Sequence, residues 1–461
     1  MQRPVILRPA RGRPAGVANA AAGARWAAGR GARLLTGFMV WLLIGYLTVP
    51  PQYWRGQTDL LAGEETNPVA RAIKLALLSV STLIVLWRLR YLLPMLRLIN
   101  PFFLAFLALV PASALWSFSP GSTMARYVSL LSMVQVCFAL SLYGWHRTRF
   151  QSVVRPIVTL LLIASLIFGL MYPDLAIEVG EGTLKDSWRG ITFQKNQFGM
   201  LASFGVVFWL HAWFSKEVRW WFAVPGAALG WTCVVLSRSS TSLLATTLST
   251  VFMILVMVTP QNLRRYMPFM VSAFAVLVVV YALAVLNLIP GIGILLEPIA
   301  ALSGKDLTFS NRALIWQIVK EHIQFSPMMG TGYGAYWIGD TPASPSYTFV
   351  QRMFFWPSQS HNGYLEIVND LGFVGLTVLL GYLIFWVRHS LDVMRFDRNQ
   401  GMLFLALFFQ QAITNLSEST WLAINSAFAI AIVTLGTFAI ARARLDQRML
   451  VHAARRRAAR R

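Results

Sequence analysis

Charge is what this sequence has least of. Only 13% of its 461 residues are charged, about half the roughly 25% of an ordinary soluble chain. That scarcity argues against a disordered or nucleic-acid-coating protein, despite a formal net charge of +22 and a pI near 10.9. Cysteine is nearly absent: Cys137 and Cys233 each fall inside an apolar run, so neither a disulfide framework nor a zinc site is suggested. No CxxC, GxxxxGK[ST], HExxH or DxD occurs, which removes the usual signatures of nucleotide hydrolysis and metal chemistry. Only six of the forty basic residues are Lys, so arginine is a compositional habit here and an isolated Arg carries little weight.

What the chain has in abundance is apolar length. Hydrophobic residues make up 56% of it, with mean hydropathy +0.58. A bilayer core of about 30 Å needs about 20 mostly apolar residues per helix. The sequence supplies such runs at roughly 34–50, 72–90, 99–117, 126–145, 153–172, 196–215, 219–236, 239–259, 267–289, 364–387, 401–417 and 421–441. The expected fold is all-α: a polytopic membrane protein of about 12 transmembrane helices, with one large structured external loop between helices 9 and 10. Residues 1–33 are expected to form a basic disordered cytoplasmic tail with no signal-peptide h-region. Residues 34–289 then carry spans 1–9, 290–363 the external loop, 364–441 spans 10–12, and 442–461 a second basic tail.

Orientation follows from where the basic residues gather. With the N-terminus inside, every even-numbered span exits into a basic segment: Arg88, Arg90 and Arg97; Arg147, Arg149 and Arg155; Lys216 and Arg219; Arg264 and Arg265; Arg388, Arg395 and Arg398; Arg442, Arg444 and Arg448. This is the positive-inside pattern, and it puts both termini in the cytoplasm. The odd exits then face outward. One holds Asp174, Glu178, Glu181, Lys185, Asp186 and Arg189; another is the turn Ser237-Arg238-Ser239-Ser240. The long loop faces outward as well. In it Ser310-Asn311-Arg312 opens a helix whose apolar stripe is Leu314, Ile315, Ile318, Val319 and Ile323, stopped by Ser326-Pro327. Gly330-Thr331-Gly332-Tyr333-Gly334 reads as a flexible turn, and Tyr336, Trp337, Phe354, Phe355 and Trp356 as aromatics laid on the membrane surface.

Once sidedness is set, the rare polar residues sort themselves. Of the six His only His322 and His361 face outward. His322 reads as part of a solvated helix face. His361, in Ser360-His361-Asn362-Gly363, stands where span 10 begins, and a helix N-terminus disfavours imidazolium. A neutral imidazole is what a general base needs; an N-terminal capping or interfacial His is the plainer alternative. Arg189, Arg238 and Arg312 are outward cations that break the positive-inside trend. The planar guanidinium fork suits phosphate oxygens, so three of them converging on one diphosphate is one reading. Separate ion pairs, for example with Asp186 or Asp306, or snorkelling to lipid headgroups, is the other. Lys195 and Asn196, at the outer start of span 6, are further candidates of the same kind. Glu418 lies with Asn415 and Ser419 at the junction of spans 11 and 12, placed to pair with an Arg or to position a hydroxyl.

Four ordered segments resemble a known family. Arg189-Gly190-Ile191-Thr192-Phe193-Gln194-Lys195-Asn196-Gln197-Phe198-Gly199 is similar to the "G-x-f-x-h/q-K-N-x-x-G" segment of the O-antigen ligase/polymerase superfamily. Ser237-Arg238-Ser239-Ser240-Thr241-Ser242 resembles its "S-x-S-R/K-t" turn. Asn311-Arg312 with Trp316, Pro327 and the 330–334 glycine run resembles its "R-x-x-x-W … P-x-x-G-x-G-x-G" loop. Ser360-His361-Asn362-Gly363-Tyr364-Leu365-Glu366 with Gly372 and Gly375 resembles its "S-H-N-x-y-L-e … G-x-x-G" stretch. Together they cover about 188–376. Asn415-Leu416-Ser417-Glu418-Ser419 looks more like the exopolysaccharide-polymerase branch than the lipid A-core ligases.

The resemblance implies a metal-independent membrane glycosyltransferase with no cofactor and a polyprenyl-diphosphate-linked oligosaccharide as donor. It would work on the outer face of the bacterial inner membrane, among membrane lipids and other polysaccharide-assembly proteins, with no nucleic acid. Arg189, Arg238, Arg312 and Lys195 would hold the diphosphate and His361 would assist the attacking hydroxyl of the growing glycan or lipid acceptor. Asn196, Asn362, Glu366 and Glu418 are secondary candidates. The expected activity is polymerisation of exopolysaccharide or O-antigen repeat units. Ligation to lipid A-core is the enzymatic alternative. A lipid-linked sugar transporter is the alternative of another class, and it would show broken helices and polar residues near the bilayer midplane.

Overall fold

Helices follow from the apolar runs because hydrocarbon offers the backbone no hydrogen bonds, and a helix satisfies its own N–H and C=O groups within one segment. A computed structural model describes residues 30–49, 68–143, 149–178, 186–260, 262–285, 310–422 and 427–459. Its principal helices are α1 (Arg30–Thr48), α2 (Pro68–Trp87), α3 (Pro101–Ala112), α4 (Pro120–Tyr143), α5 (Arg149–Met171), α6 (Lys195–Phe214), α7 (Trp220–Leu236), α8 (Ser240–Val258), α9 (Met267–Val285), α10 (Ser310–Ile323), α11 (Gly363–Phe396), α12 (Arg398–Thr414) and α13 (Ala427–Ala458). Each expected span meets one of these, and α10 is the helix expected in the long loop. Helices α4, α5, α6, α8, α11 and α13 contain stretches long and apolar enough to cross a bilayer, and α1, α2, α3 and α7 are shorter apolar helices. The chain is an all-α polytopic membrane protein. Residues 1–29 of the expected tail, Glu181, Lys185, residues 286–289 of expected span 9 and 290–309 of the expected loop lie outside the described residues.

Both ends of α13 differ from the sequence reading. Trp421 and Leu422 lie outside any helix, and α13, described from Ala427, continues to Ala458, so the basic C-terminal segment starts as helix. At about 1.5 Å per residue its 32 residues extend about 48 Å, well beyond a bilayer core. Where it leaves the bundle, Arg442 is buried, donating to Asp446 Oδ1 at 3.0 Å and to Ser141 O at 3.3 Å. The short α12 is buried on every side from Gln400 to Thr414, packed by α6, α8, α9, α11 and α13. Enclosure by protein rather than lipid explains how it carries Gln410, Gln411 and Thr414.

The basic helix exits gather at one end of the bundle. Arg155 at the start of α5 meets Glu217 just past α6 at 3.0 Å. Arg398 reaches Met257 O at the end of α8, and Arg444 reaches Leu98 O. The opposite end carries a two-stranded hairpin, Ile177–Glu178 with Ser187–Trp188, together with the Arg238 turn, α10 and the 415–422 turn.

At that opposite end α11 is broken. Gly372 sits at φ 63°, ψ −164°, a conformation open in practice only to glycine, and divides α11 into two helical pieces. The loop fills the break. Thr331 N and Gly332 N donate to Asn369 O and Asp370 O, while Phe373 N and Val374 N donate to Pro327 O and Met328 O. The 330–334 glycine run is therefore fixed backbone, not the flexible turn its composition suggested. Gly334 N also donates to Asp370 Oδ2 at 2.8 Å, and Arg126 of α4 donates to Trp337 O at 2.7 Å.

That anchoring changes the reading of the loop aromatics. Tyr336 and Trp337 are buried, 1% and 3% exposed, against Phe349 and Trp356, so they form a small core under the loop rather than a membrane-surface layer. Phe354 and Phe355 are exposed. In α10 the buried stripe is Ile315, Trp316, Ile318 and Val319, and Leu314 faces out. His322 is not on a solvated face. Its Nε2 lies 2.9 Å from Thr331 Oγ1 and its ring 4.5 Å from that of Tyr336. Thr331 Oγ1 also lies within hydrogen-bond distance of Asn369 O, to which it can donate. Burial pulls this imidazole below its ordinary pKa.

Candidate active site

A buried carboxylate must find donors or pay heavily in desolvation. Glu418 is 5% exposed at its side chain, and three residues from distant segments converge on it. Asn196 Nδ2 donates to Oε1 at 2.7 Å, Arg312 donates to the same oxygen at 2.8 Å, and His361 Nδ1 stands 3.5 Å from Oε2. Burial alone would raise the Glu418 carboxyl; the His361 imidazole, the Arg312 charge and the Asn196 amide together hold it below the usual carboxylate range. Glu418 thus joins α6, α10, the start of α11 and the α12–α13 turn.

Local sequence explains how each group is aimed. Arg312 and Trp316 lie four residues apart, on one face of α10. Arg312 reaches Glu418 while Trp316 Nε1 donates to Ser360 O at 3.0 Å, so one helix face holds both Glu418 and the residue before His361. Asn362 is the N-cap of α11, its side chain accepting from Tyr364 N and Leu365 N and donating to Leu416 O. His361 therefore precedes the cap, with φ +52°. That left-handed conformation is uncommon for a residue with a side chain, and it is held from both sides. Glu366 accepts from Ser360 N at 2.8 Å and from Ser419 Oγ at 3.3 Å, clasping the segments that carry His361 and Glu418. Both Asn362 and Glu366 are buried, so their visible work is to shape the segment that presents His361.

The Glu418 turn is built around Asn415. Its Oδ1 accepts from Thr420 N at 2.8 Å and Trp421 N at 2.7 Å, and its carbonyl accepts from Gly363 N. The fit explains the glycine after Asn362, because a Cβ at 363 would stand 1.9 Å from Asn415 Oδ1. Thr241, in the first turn of α8, hydrogen-bonds Ser417 and brings the neighbouring Arg238 turn alongside.

The remaining cations form a looser outer group. Arg238 pairs with Asp186 at 3.7 Å, with side chains 56% and 63% exposed. This is one of the ion pairs the sequence allowed. Its exposure leaves the pair weak and exchangeable for a stronger anion. Lys195 lies within electrostatic reach of Glu178, Arg312 and Arg238, and its backbone N donates to Glu178 Oε1 at 2.9 Å, which gives the first turn of α6 a carboxylate. Arg189 sits at the end of the hairpin, its Nε donating to Leu175 O at 2.8 Å. Of the expected residues, then, Arg312, His361, Glu418 and Asn196 touch directly or through one carboxylate. Lys195 and Arg238 stand near them, and Arg189 makes its bond within the hairpin segment.

Sequence reasoning ranked Glu418 below the arginines, yet it is the point where the cluster meets. Arg126 and Asp370 were overlooked, although an Arg at the expected outer start of span 4 breaks the positive-inside trend as the other three do.

Comparison with known proteins bears on this geometry. Residues 225–380 match the family model described as O-antigen ligase, a range that includes Arg238, Arg312 and His361. The chain is also 28% identical over 284 residues to the exopolysaccharide production protein ExoQ of Rhizobium meliloti (strain 1021), covering 57% of this chain. The chain spans about 59% of the length of that curated relative. The family match and the relative both support the resemblance to the O-antigen ligase-like superfamily that the four sequence segments carry.

Proposed function

We propose that the protein is a membrane glycosyltransferase that polymerises polyprenyl-diphosphate-linked oligosaccharide repeat units on the outer face of the inner membrane. The observation that carries this reading is the cluster of Arg312, His361 and Asn196 on Glu418: a cation suited to phosphate and an imidazole suited to proton transfer, joined through one buried carboxylate. In the reaction an acceptor hydroxyl attacks the anomeric carbon of the donor glycan and gives its proton to His361. The bond from that carbon to the diphosphate breaks, and the diphosphate keeps the electron pair. Arg312, with Arg238, Lys195 and Arg189 as further cations, offsets the charge that builds on the leaving group, the electrostatic work that dominates such transfers. Fixed cations do this without a divalent metal.

The exopolysaccharide role in the relative's name favours polymerase, and the description of the family model favours ligase as the second reading. A transporter has one feature in its favour, the broken α11. That break lies close to the helix N-terminus and is filled by the loop, which is unlike an open midplane site.

Purified protein in lipid nanodiscs, given a labelled lipid-linked repeat unit in excess chelator, should yield a ladder of repeat multiples. A single larger product formed only when lipid A-core is added would assign ligation. Movement of intact donor across vesicles with no new glycosidic bond would assign transport.

A further inference from the structure

The two oxygens of Glu418 are unequally used. Oε1 accepts from both Asn196 and Arg312 at hydrogen-bond distance, whereas Oε2 faces His361 Nδ1 at 3.5 Å. Nδ1 is buried and, among the described residues, makes no closer hydrogen bond. The carboxylate therefore sits on the same guanidinium that a diphosphate would seek, and stops short of the imidazole it would orient.

We infer that Glu418 is a positioning residue that changes partners when donor binds: it holds Arg312 until a diphosphate takes that guanidinium, then closes on His361 Nδ1. The inference rests on the glycosyl-transfer reading above. Diphosphate and carboxylate compete for one planar fork, and the diphosphate brings more charge. A buried carboxylate that loses its cation is costly, and His361 stands close by as a replacement, about 0.5 Å beyond good hydrogen-bond length. Closing that gap holds the hydrogen on Nδ1 and leaves the Nε2 lone pair to take the acceptor's proton. The base is thereby prepared only when a donor is present, which guards an activated lipid diphosphate against a misplaced proton acceptor.

A purely structural ion pair predicts something different. If Glu418 only braces the fold, its loss should weaken donor binding and turnover together. Competition predicts that they move in opposite directions. In Glu418→Gln the carboxylate no longer competes for Arg312, so glycan-free polyprenyl diphosphate should bind several-fold more tightly than to wild type. Turnover should fall at least about tenfold, because the imidazole has lost its carboxylate partner. Glu418→Asp keeps the charge and should return affinity towards the wild-type value with partial turnover. Binding is measured on intact protein in nanodiscs, and turnover with the lipid-linked repeat unit. Tighter binding with slower turnover in Glu418→Gln supports the exchange of partners. Weaker or unchanged binding in that variant overturns it while leaving the transfer reading intact. Should Glu418→Gln fail to fold, Glu418→Asp with affinity and turnover both reduced would overturn it equally. Wild-type protein that binds no polyprenyl diphosphate would overturn the transfer reading itself, and this inference with it.

Discussion

The approach of Gly363 to Asn415 gives a perturbation whose size is set by geometry. In Gly363→Ala the new Cβ would lie 1.9 Å from Asn415 Oδ1 and 2.8 Å from its Cγ, where ordinary contacts begin near 3.4 Å. Asn415 would have to retreat by more than an ångström. Its Oδ1 cannot do so and still accept from Thr420 N and Trp421 N, both buried in the protein. Leaving a buried donor unpaired costs about 1–3 kcal/mol each, and alanine returns about 0.4–1 kcal/mol through the unfolded chain. The net expectation is a loss of about 1–5 kcal/mol. Because the same turn carries Glu418, turnover should fall further than the folded fraction does at the assay temperature. Thermal unfolding in detergent, read beside turnover at a temperature where the variant is folded, checks both. An unchanged or raised Tm would refute this account of the glycine, and lowered Tm with full turnover would detach the Asn415 turn from the site.

Other expectations follow from the same contacts. Arg312→Ala strands the buried Glu418 carboxylate and should cost about 3 kcal/mol, part of which Glu418→Gln should restore in the double variant; additive losses on thermal unfolding would disprove the coupling. Arg238→Ala removes an exposed pair with Asp186, so stability should change by about 0.5 kcal/mol while donor affinity drops, and Arg238→Lys should recover part of that affinity; unchanged donor affinity would mark this residue as surface charge. Burial depresses His322, so the unfolded chain binds more protons there and stability should fall as pH drops below about 6.5. His322→Gln should flatten that slope, and an identical pH–Tm profile would contradict the assignment.

The helices were readable in the sequence and the meeting of side chains was not, for one physical reason. Hydropathy over some twenty residues is a local property, so each apolar run announced its helix, and the Arg312–Trp316 spacing announced one face of α10. Asn196 and Glu418 are 222 residues apart, and Arg312 and Glu418 106 apart. Nothing local to Glu418 distinguishes the centre of a cluster from a single ion pair. Tyr336 and Trp337 show the limit from the other side: an aromatic run beside a membrane has the same composition whether it floats in the interface or packs under a loop. His322 was read as solvated because its partners, Thr331 and Tyr336, come from the returning chain. The glycines of the 330–334 run looked like freedom, and the broken α11 turned them into a fitted plug.

The most direct test of the central claim is the turnover of His361→Ala measured beside its affinity for polyprenyl diphosphate. If His361 takes the acceptor's proton and the cations around it hold the donor, glycan transfer should fall about 10²–10⁴-fold while diphosphate binding is retained, weakened no more than a few-fold because Glu418 has lost the partner it would turn to. Wild-type turnover in the variant would contradict the claim. So would loss of donor binding, which would move His361 into the diphosphate site and leave the acceptor's base to be found elsewhere.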